Sequence, residues 1–409
     1  MNVKSKFAVG VLVLATVGGG GFLVARQITE RAGEAEFQAQ LRLARLESLP
    51  TTVAAFEATL PKVSPEDNAA PIYRKLARLD PAWRRAIDPD LSFVWVRNTK
   101  IEATVRSSVK KAKDALALID AAAAKPKCRF ELDWDTANPL FIPGVSSLKD
   151  AAKLLLVRGS LSSVAGEHAS ALADAKAILR IASHIDSPSG HFIFLVGEVI
   201  RHIGLQFIAS LALRYPDQLA YRQVLKDVVA NWEAPRLKQI FRGELVEIFK
   251  FIECAVAEKP GASAKESSIQ LSFQAKANVV RAVRKRWAAF DAPEASRSDL
   301  TREAAKDLVK ALEEVPWLAK LYDGAFGYGE FESVKNNACR RVAYQALLRA
   351  LEQPTLPKTI KTDDLLSPFD KKPVTYKYEK GRILIEVSRS TTDWRPYRLE
   401  IGPPAKPGS

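Results

Sequence analysis

Apolar residues return at helical spacing over most of this chain, and the breaks in that pattern mark out its elements. From 146 to about 352 they recur every three to four residues, which predicts helix after helix. The pattern stops near Gly166, Pro188-Ser189-Gly190, Pro216, Pro235, Lys259-Pro260-Gly261, Pro293 and Gly324 to Gly329, where Gly and Pro end helices or turn the chain. The polar segments 259–266 and 291–299 read as loops. Earlier, residues 100–124 form an Ala/Lys/Leu run of high helix propensity. Ser64-Pro65-Glu66-Asp67 predicts a helix start, with Ser as cap and Pro at the first helical position. Residues 28–49 set Ile28, Phe37, Leu41, Leu43 and Leu46 among charges and end at Pro50, as an amphipathic helix would. Lys125 to Pro143, with Pro126 and Pro139, is the main irregular stretch.

Two regions depart from this period. Phe7 to Val24 is a run of 18 uncharged residues between Lys4 and Lys6 on one side and Arg26 on the other. As a helix it spans about 27 Å, close to the ~30 Å hydrocarbon core of a bilayer. Leu23-Val24-Ala25 is a poor small-x-small cleavage site, so the run is read as a retained signal-anchor rather than a cleaved signal peptide. Lys4 and Lys6 favour a cytoplasmic N-terminus, with the body outside a bacterial inner membrane. At the other end, Val374 to Tyr378 and Ile383 to Val387 are β-type runs flanking Glu379-Lys380-Gly381, a hairpin signal. Tyr397 to Ile401 adds a third strand. A module of about forty residues buries too little apolar area to stand alone, so it is expected to pack on the helices. The predicted class is therefore mainly α: an N-terminal transmembrane helix, a multi-helix body of αα-hairpins, and a small C-terminal antiparallel β module. The expected divisions are 1–25 (tail and anchor), 26–63 (juxtamembrane helix and linker), 64–353 (helical body), 354–402 (β module) and 403–409 (disordered tail).

Charge and composition narrow the partners more than the fold. The net charge of +14 favours anionic surfaces, such as lipid headgroups or envelope polymers. The sharpest basic cluster is Arg281, Arg284, Lys285 and Arg286, followed by Trp287 and Phe290. Interleaved Arg and aromatic residues can lie on an anionic bilayer or track a nucleic-acid backbone; an extracytoplasmic body disfavours nucleic acid. Because Lys276, Arg281, Arg284 and Lys285 spread around the helix, an ordinary solvated surface is the simpler reading.

Candidate chemistry is sparse. All four His lie between 168 and 202: His168, His184, His191 and His202. Glu198 and His202 share a helical face, with His191 seven residues before Glu198. That is a chelating pattern, yet its apolar flanks suggest a packed helix instead. Cys128, Cys254 and Cys339 form no C-x-x-C pair, and whether any two are bridged stays open. Lys127 and Arg129 would lower the Cys128 thiol pKa if close to it. No G-x-S-x-G and no phosphate-binding Gly loop occurs, and the acidic pairs Asp133/Asp135 and Glu313/Glu314 sit in solvated contexts. No catalytic, cofactor-binding or metal residue is assigned, and no cofactor is expected.

Short motifs carry two resemblances. Leu155, Gly159, Gly166, His168 and Ala171 are spaced as in a single tetratricopeptide unit, with His168 where an aromatic residue is usual and no second unit following. Asn68 to Tyr73, Asp133-Trp134, Gly166-Glu167-His168 and Ala171 to Asp174 look like stretches of uncharacterised membrane-anchored bacterial proteins of planctomycete type. Ser367 to Tyr376 is similar to the loop-to-strand element of major pseudopilins, but with Ser367 in place of Asp and Lys in place of Gly. The pilin N-terminus is missing, so pilus assembly is not implied. The expected role is a membrane-anchored envelope scaffold that binds a protein partner through its helical body, with Trp232, Trp287 and Trp317 as available anchors. Two alternatives stand beside it: a surface hydrolase using the 191–202 region, and a basic module contacting anionic lipid or nucleic acid through the 281–290 helix.

Overall fold

The computed structural model describes residues 27–85, 99–134, 142, 144–185, 191–232, 237–254, 271–292, 294–312, 329–388 and 396–402. The apolar run 7–24, Trp317, Glu313/Glu314 and the tail 403–409 lie outside the described residues. The protein is mainly helical, with one small sheet. In chain order the helices are α1 (27–46), α2 (Val53–Glu57), α3 (Ala70–Arg78), α4 (Ala82–Arg85), α5 (Thr99–Lys111), α6 (Lys113–Ala123) and α7 (Val145–Val164). There follow α8 (His168–Ile185), α9 (His191–Arg214), α10 (Leu219–Ala230), α11 (Leu237–Cys254), α12 (Phe273–Ala289), α13 (Glu294–Ala311) and α14 (Gly329–Leu351). The strands are β1 (Thr375–Glu379), β2 (Arg382–Val387) and β3 (Tyr397–Ile401).

The chain divides into two compact units, and both are discontinuous. One joins Met1–Ala58 to Leu245–Gly329; the other joins Thr59–Glu244 to Glu330–Ser409. In the first unit α1 lies on α12. Gly33, Phe37, Gln40 and Ala44 form its buried stripe, at helical spacing. A Cβ on Gly33 would meet the Phe273 Cβ at 3.2 Å, so glycine permits the close approach. The Phe37 and Phe273 rings pack with centroids 6.3 Å apart. Leu43 and Leu46 stand in solvent, on a different side of α1 from the stripe that α12 covers.

The second unit holds the larger core. Helices α7, α8 and α9 pack on one another, and α10 packs on α9. Gly159 of α7 lets α9 in: a Cβ there would sit 2.8 Å from the Phe207 ring. Leu155 and Ala171, two of the tetratricopeptide-like positions, are buried in this layer. α9 is the one helix among the described residues long and apolar enough to cross a membrane, over Ile193–Arg214, but 67% of its apolar window is buried inside the protein. Its apolar sides are occupied by neighbouring helices, as in a core helix.

The sheet has order β1-β2-β3, antiparallel throughout. Glu379 pairs with Arg382, so the turn is the two residues Lys380-Gly381, both at positive φ (51° and 78°). That geometry matches the right-handed twist of paired strands, and Gly adopts it without strain. Tyr376, Ile383, Ile385, Val387, Tyr397, Leu399 and Ile401 point into the same core as the helices. The β module thus shares the core of the helical layer, as its small size requires.

Candidate functional site

The basic helix is the first place to look for a binding surface. Asn278, Arg281, Lys285, Asp307 and Lys310, with Gln274 and three alanines, line a groove of about 600 Å³ between α12 and α13. Most cations of α12 are already engaged. Arg281 pairs with Glu36 at 2.6 Å, Arg284 pairs with Glu47, and Lys285 reaches Glu303 at 2.7 Å and Asp307 at 2.8 Å. Arg286 and Lys276 are buried, Lys276 lying 5.3 Å from the centre of the Phe273 ring. Trp287 and Phe290 are core residues too. The interleaved Arg/aromatic pattern read from the sequence is therefore not one presented surface; half of it packs the unit's interior. Sequence periodicity could not reveal this, since α12 is covered by both α1 and α13.

The Glu198/His202 pair sits in the second unit. Glu198 does not bond His202. Its Oε2 accepts from Asn337 Nδ2 at 2.8 Å and from Arg340 Nη1 at 3.0 Å, and Arg201 lies 3.2 Å from Oε1. Asn337 Oδ1 in turn accepts from the Trp232 indole N–H at 2.8 Å. Trp232 is thus tied into the core and is no exposed anchor. Burial, and then the charge of Arg340, push the His202 pKa down to about 3. The His191 side chain lies outside the described residues, so the proposed third ligand has no position here. Among the described residues no three His, Cys, Asp or Glu side chains converge as a metal site.

A second histidine shows the same structural use. The His184 Nε2–H donates to the Lys125 carbonyl at 2.9 Å, which fixes the tautomer. Nδ1 then accepts from the Tyr73 hydroxyl at 2.8 Å, and the Phe130 ring stacks on Tyr73. Burial lowers the His184 pKa to about 4 and raises that of Tyr73. Cys128, beside this pair, is also pushed up, to about 12, by burial. Lys127 and Arg129 were expected to lower it if close; burial prevails instead, opposed by the charge of Arg74. Cys128 and Cys339 are both buried free thiols.

One cluster was missed from sequence. Arg158 donates to both Asp120 oxygens at 2.7 and 2.8 Å, and its Nε lies 3.1 Å from both oxygens of buried Asp174. It clamps α6, α7 and α8 together. Sixteen and 38 residues separate these partners, so no local spacing rule picks them out.

The histidines predict an acid response. His184 and His202 are held neutral in the folded chain, near pKa 4 and 3, against 6.5 when unfolded. Between these values the unfolded chain binds more protons, so stability is full above about pH 6.5 and declines as pH falls. Melting temperature should drop steadily from pH 7 to pH 5, and less steeply in His184→Gln. An unchanged slope in that variant would show that His184 is not held neutral. No protein-family model, curated protein or solved structure matches this chain.

Proposed function

We propose that this chain is a membrane-tethered scaffold of the bacterial envelope, its body outside the cytoplasm, which holds a protein partner on its helical surface. The observation that carries this reading is the outer face of α1. Its described residues follow closely on the apolar run in sequence, and they leave Ile28 63%, Leu43 39% and Leu46 75% exposed. Exposed large apolar residues grouped on one face mark a docking surface. The groups that look most like chemistry have structural employment: Glu198 binds Asn337 and Arg340, His184 binds Tyr73 and Lys125, and the Cys128 thiol is held protonated. Catalysis needs such groups poised toward a substrate instead.

The test is capture by full-length protein extracted from membranes. Wild type should retain a protein partner, an Ile28→Glu/Leu46→Glu variant should lose it, and His202→Gln should keep it. Stoichiometric zinc, lost together with hydrolytic activity in His191→Ala and His202→Ala, would sink the scaffold and establish the hydrolase.

A further inference from the structure

We infer that the partner on the outer face of α1 is a second copy of this chain, paired in parallel along that helix. The inference rests on the scaffold reading above only in taking residues 7–24 as a tether. Ile28, Ala32, Ala35, Ala39, Leu43 and Leu46 are all exposed. They follow at steps of four or three residues, and at roughly 100° per residue they form one stripe about 80° wide. It is turned roughly 135° from the Gly33–Phe37–Gln40–Ala44 stripe that packs on α12, and it runs about 27 Å. α1 therefore carries two seams, one filled within the unit and one open. The alanines in the middle of the open seam let a second helix approach closely, and Ile28, Leu43 and Leu46 fill its ends.

Charge selects the occupant. Along α1, Glu30, Glu34 and Glu36 balance Arg31, Arg42 and Arg45, so the helix carries no net positive charge to draw it onto anionic lipid. The same charges suit a copy of α1. With Ala32, Ala39 and Leu46 as one set of seam positions and Ile28 and Ala35 as the other, Arg31 flanks one edge and Glu36 the opposite edge. In a parallel pair, residue 31 of one copy meets residue 36 of the other. Arg31 has no ion-pair partner among the described residues. The Arg281 and Gln40 bonds to Glu36 both fall on Oε1, which leaves Oε2 for the incoming Arg31. An antiparallel pair would instead set Arg31 against Arg45. Parallel pairing also brings both copies of residue 27 to the same end, as two tethers in one membrane require.

A seam this short buries less than the ~1,600 Å² of a typical stable interface. Confinement to a membrane supplies the effective concentration that makes it count. The pair should accordingly be strong in membranes and weak in solution.

The experiment is disulfide mapping on the full chain in native membranes, read as a band of twice the chain's mass and compared with the unsubstituted protein. Ala32→Cys, Ala39→Cys and Leu46→Cys should cross-link, and Glu34→Cys on the other side of α1 should not. Adding Leu46→Glu or Arg31→Glu to Ala39→Cys should cut the dimer band about tenfold, the effect of ~1.4 kcal/mol. Cross-linking without that periodicity, or between Ile28→Cys and Leu46→Cys chains mixed together, would overturn the parallel pair. A product joining α1 to a protein of different mass would refute the second copy and leave the scaffold standing. Release of the chain by carbonate would refute the tether, while the periodicity of cross-linking still decides the pairing.

Discussion

Thermal unfolding of Arg158→Met should occur about 10 °C below wild type. The guanidinium of Arg158 is the counter-charge for Asp174, whose carboxylate is buried while that of Asp120 is half exposed. Burial pushes the Asp174 pKa up, and the Arg158 hydrogen bonds and charge oppose that push. Removing one member of a buried pair costs about 3–5 kcal/mol, because the other is left charged and dry. Arg158 keeps part of its surface in water, so the lower end applies, near ~3 kcal/mol, and each kcal/mol moves the melting temperature by roughly 2–4 °C at this size. The cause can be separated from general damage. Asp174→Asn added to Arg158→Met should recover part of the loss, since the stranded charge is then gone. If Asp120→Asn alone costs as much as Arg158→Met, the buried carboxylate is not the source.

A loss of similar size is expected for Glu198→Gln, again read by thermal melting. Glu198 is the acidic partner that Arg201 and Arg340 share in this network, and all three are largely buried. The substitution keeps shape and one hydrogen-bonding oxygen for Asn337 but removes the negative charge that Arg201 and Arg340 share. Such a change typically costs about 3–5 kcal/mol. The same variant separates the scaffold from the hydrolase. A structural Glu198 loses stability in step with any loss of function, whereas a catalytic one would lose activity with melting unchanged.

These two sites show where sequence reading succeeds and where it stops. Most helices and the hairpin were legible because their signals are local: apolar residues every three to four positions, and Lys380-Gly381 between β-type runs; the expected start at Ser64 and the loop over 291–299 were not, since α3 opens at Ala70 and α13 at Glu294. The Glu198 site was half legible. The i, i+4 spacing suggested a bond to His202, but Glu198 turns to Arg201 and to partners 139 and 142 residues away on α14. The ion pairs of the basic helix were hidden for the same reason. Arg281 and Arg284 meet Glu36 and Glu47 across separations of 245 and 237 residues, and nothing near 281 in the sequence announces them. α1 illustrates the remaining ambiguity. Its charges and apolar residues correctly marked a helix, but with two apolar stripes available, the residues alone did not say which would be covered from within.

The discontinuous unit built on α1 and α12 also has a consequence for biosynthesis. α1 is among the first helices to leave the ribosome, whereas its cover, α12, begins only at Phe273. At ~5–20 residues per second, the inner Gly33–Phe37–Ala44 stripe stays bare for roughly ten to forty-five seconds of translation. Throughout that interval Thr59–Glu244 is being made, yet it cannot complete its own unit either, because residues 330–409 are still to come. Nascent chains of this protein therefore expose two unfinished cores at once until synthesis is nearly over. Ribosome stalling before Phe273 would leave both open, which makes this protein a natural client for holding factors at the ribosome.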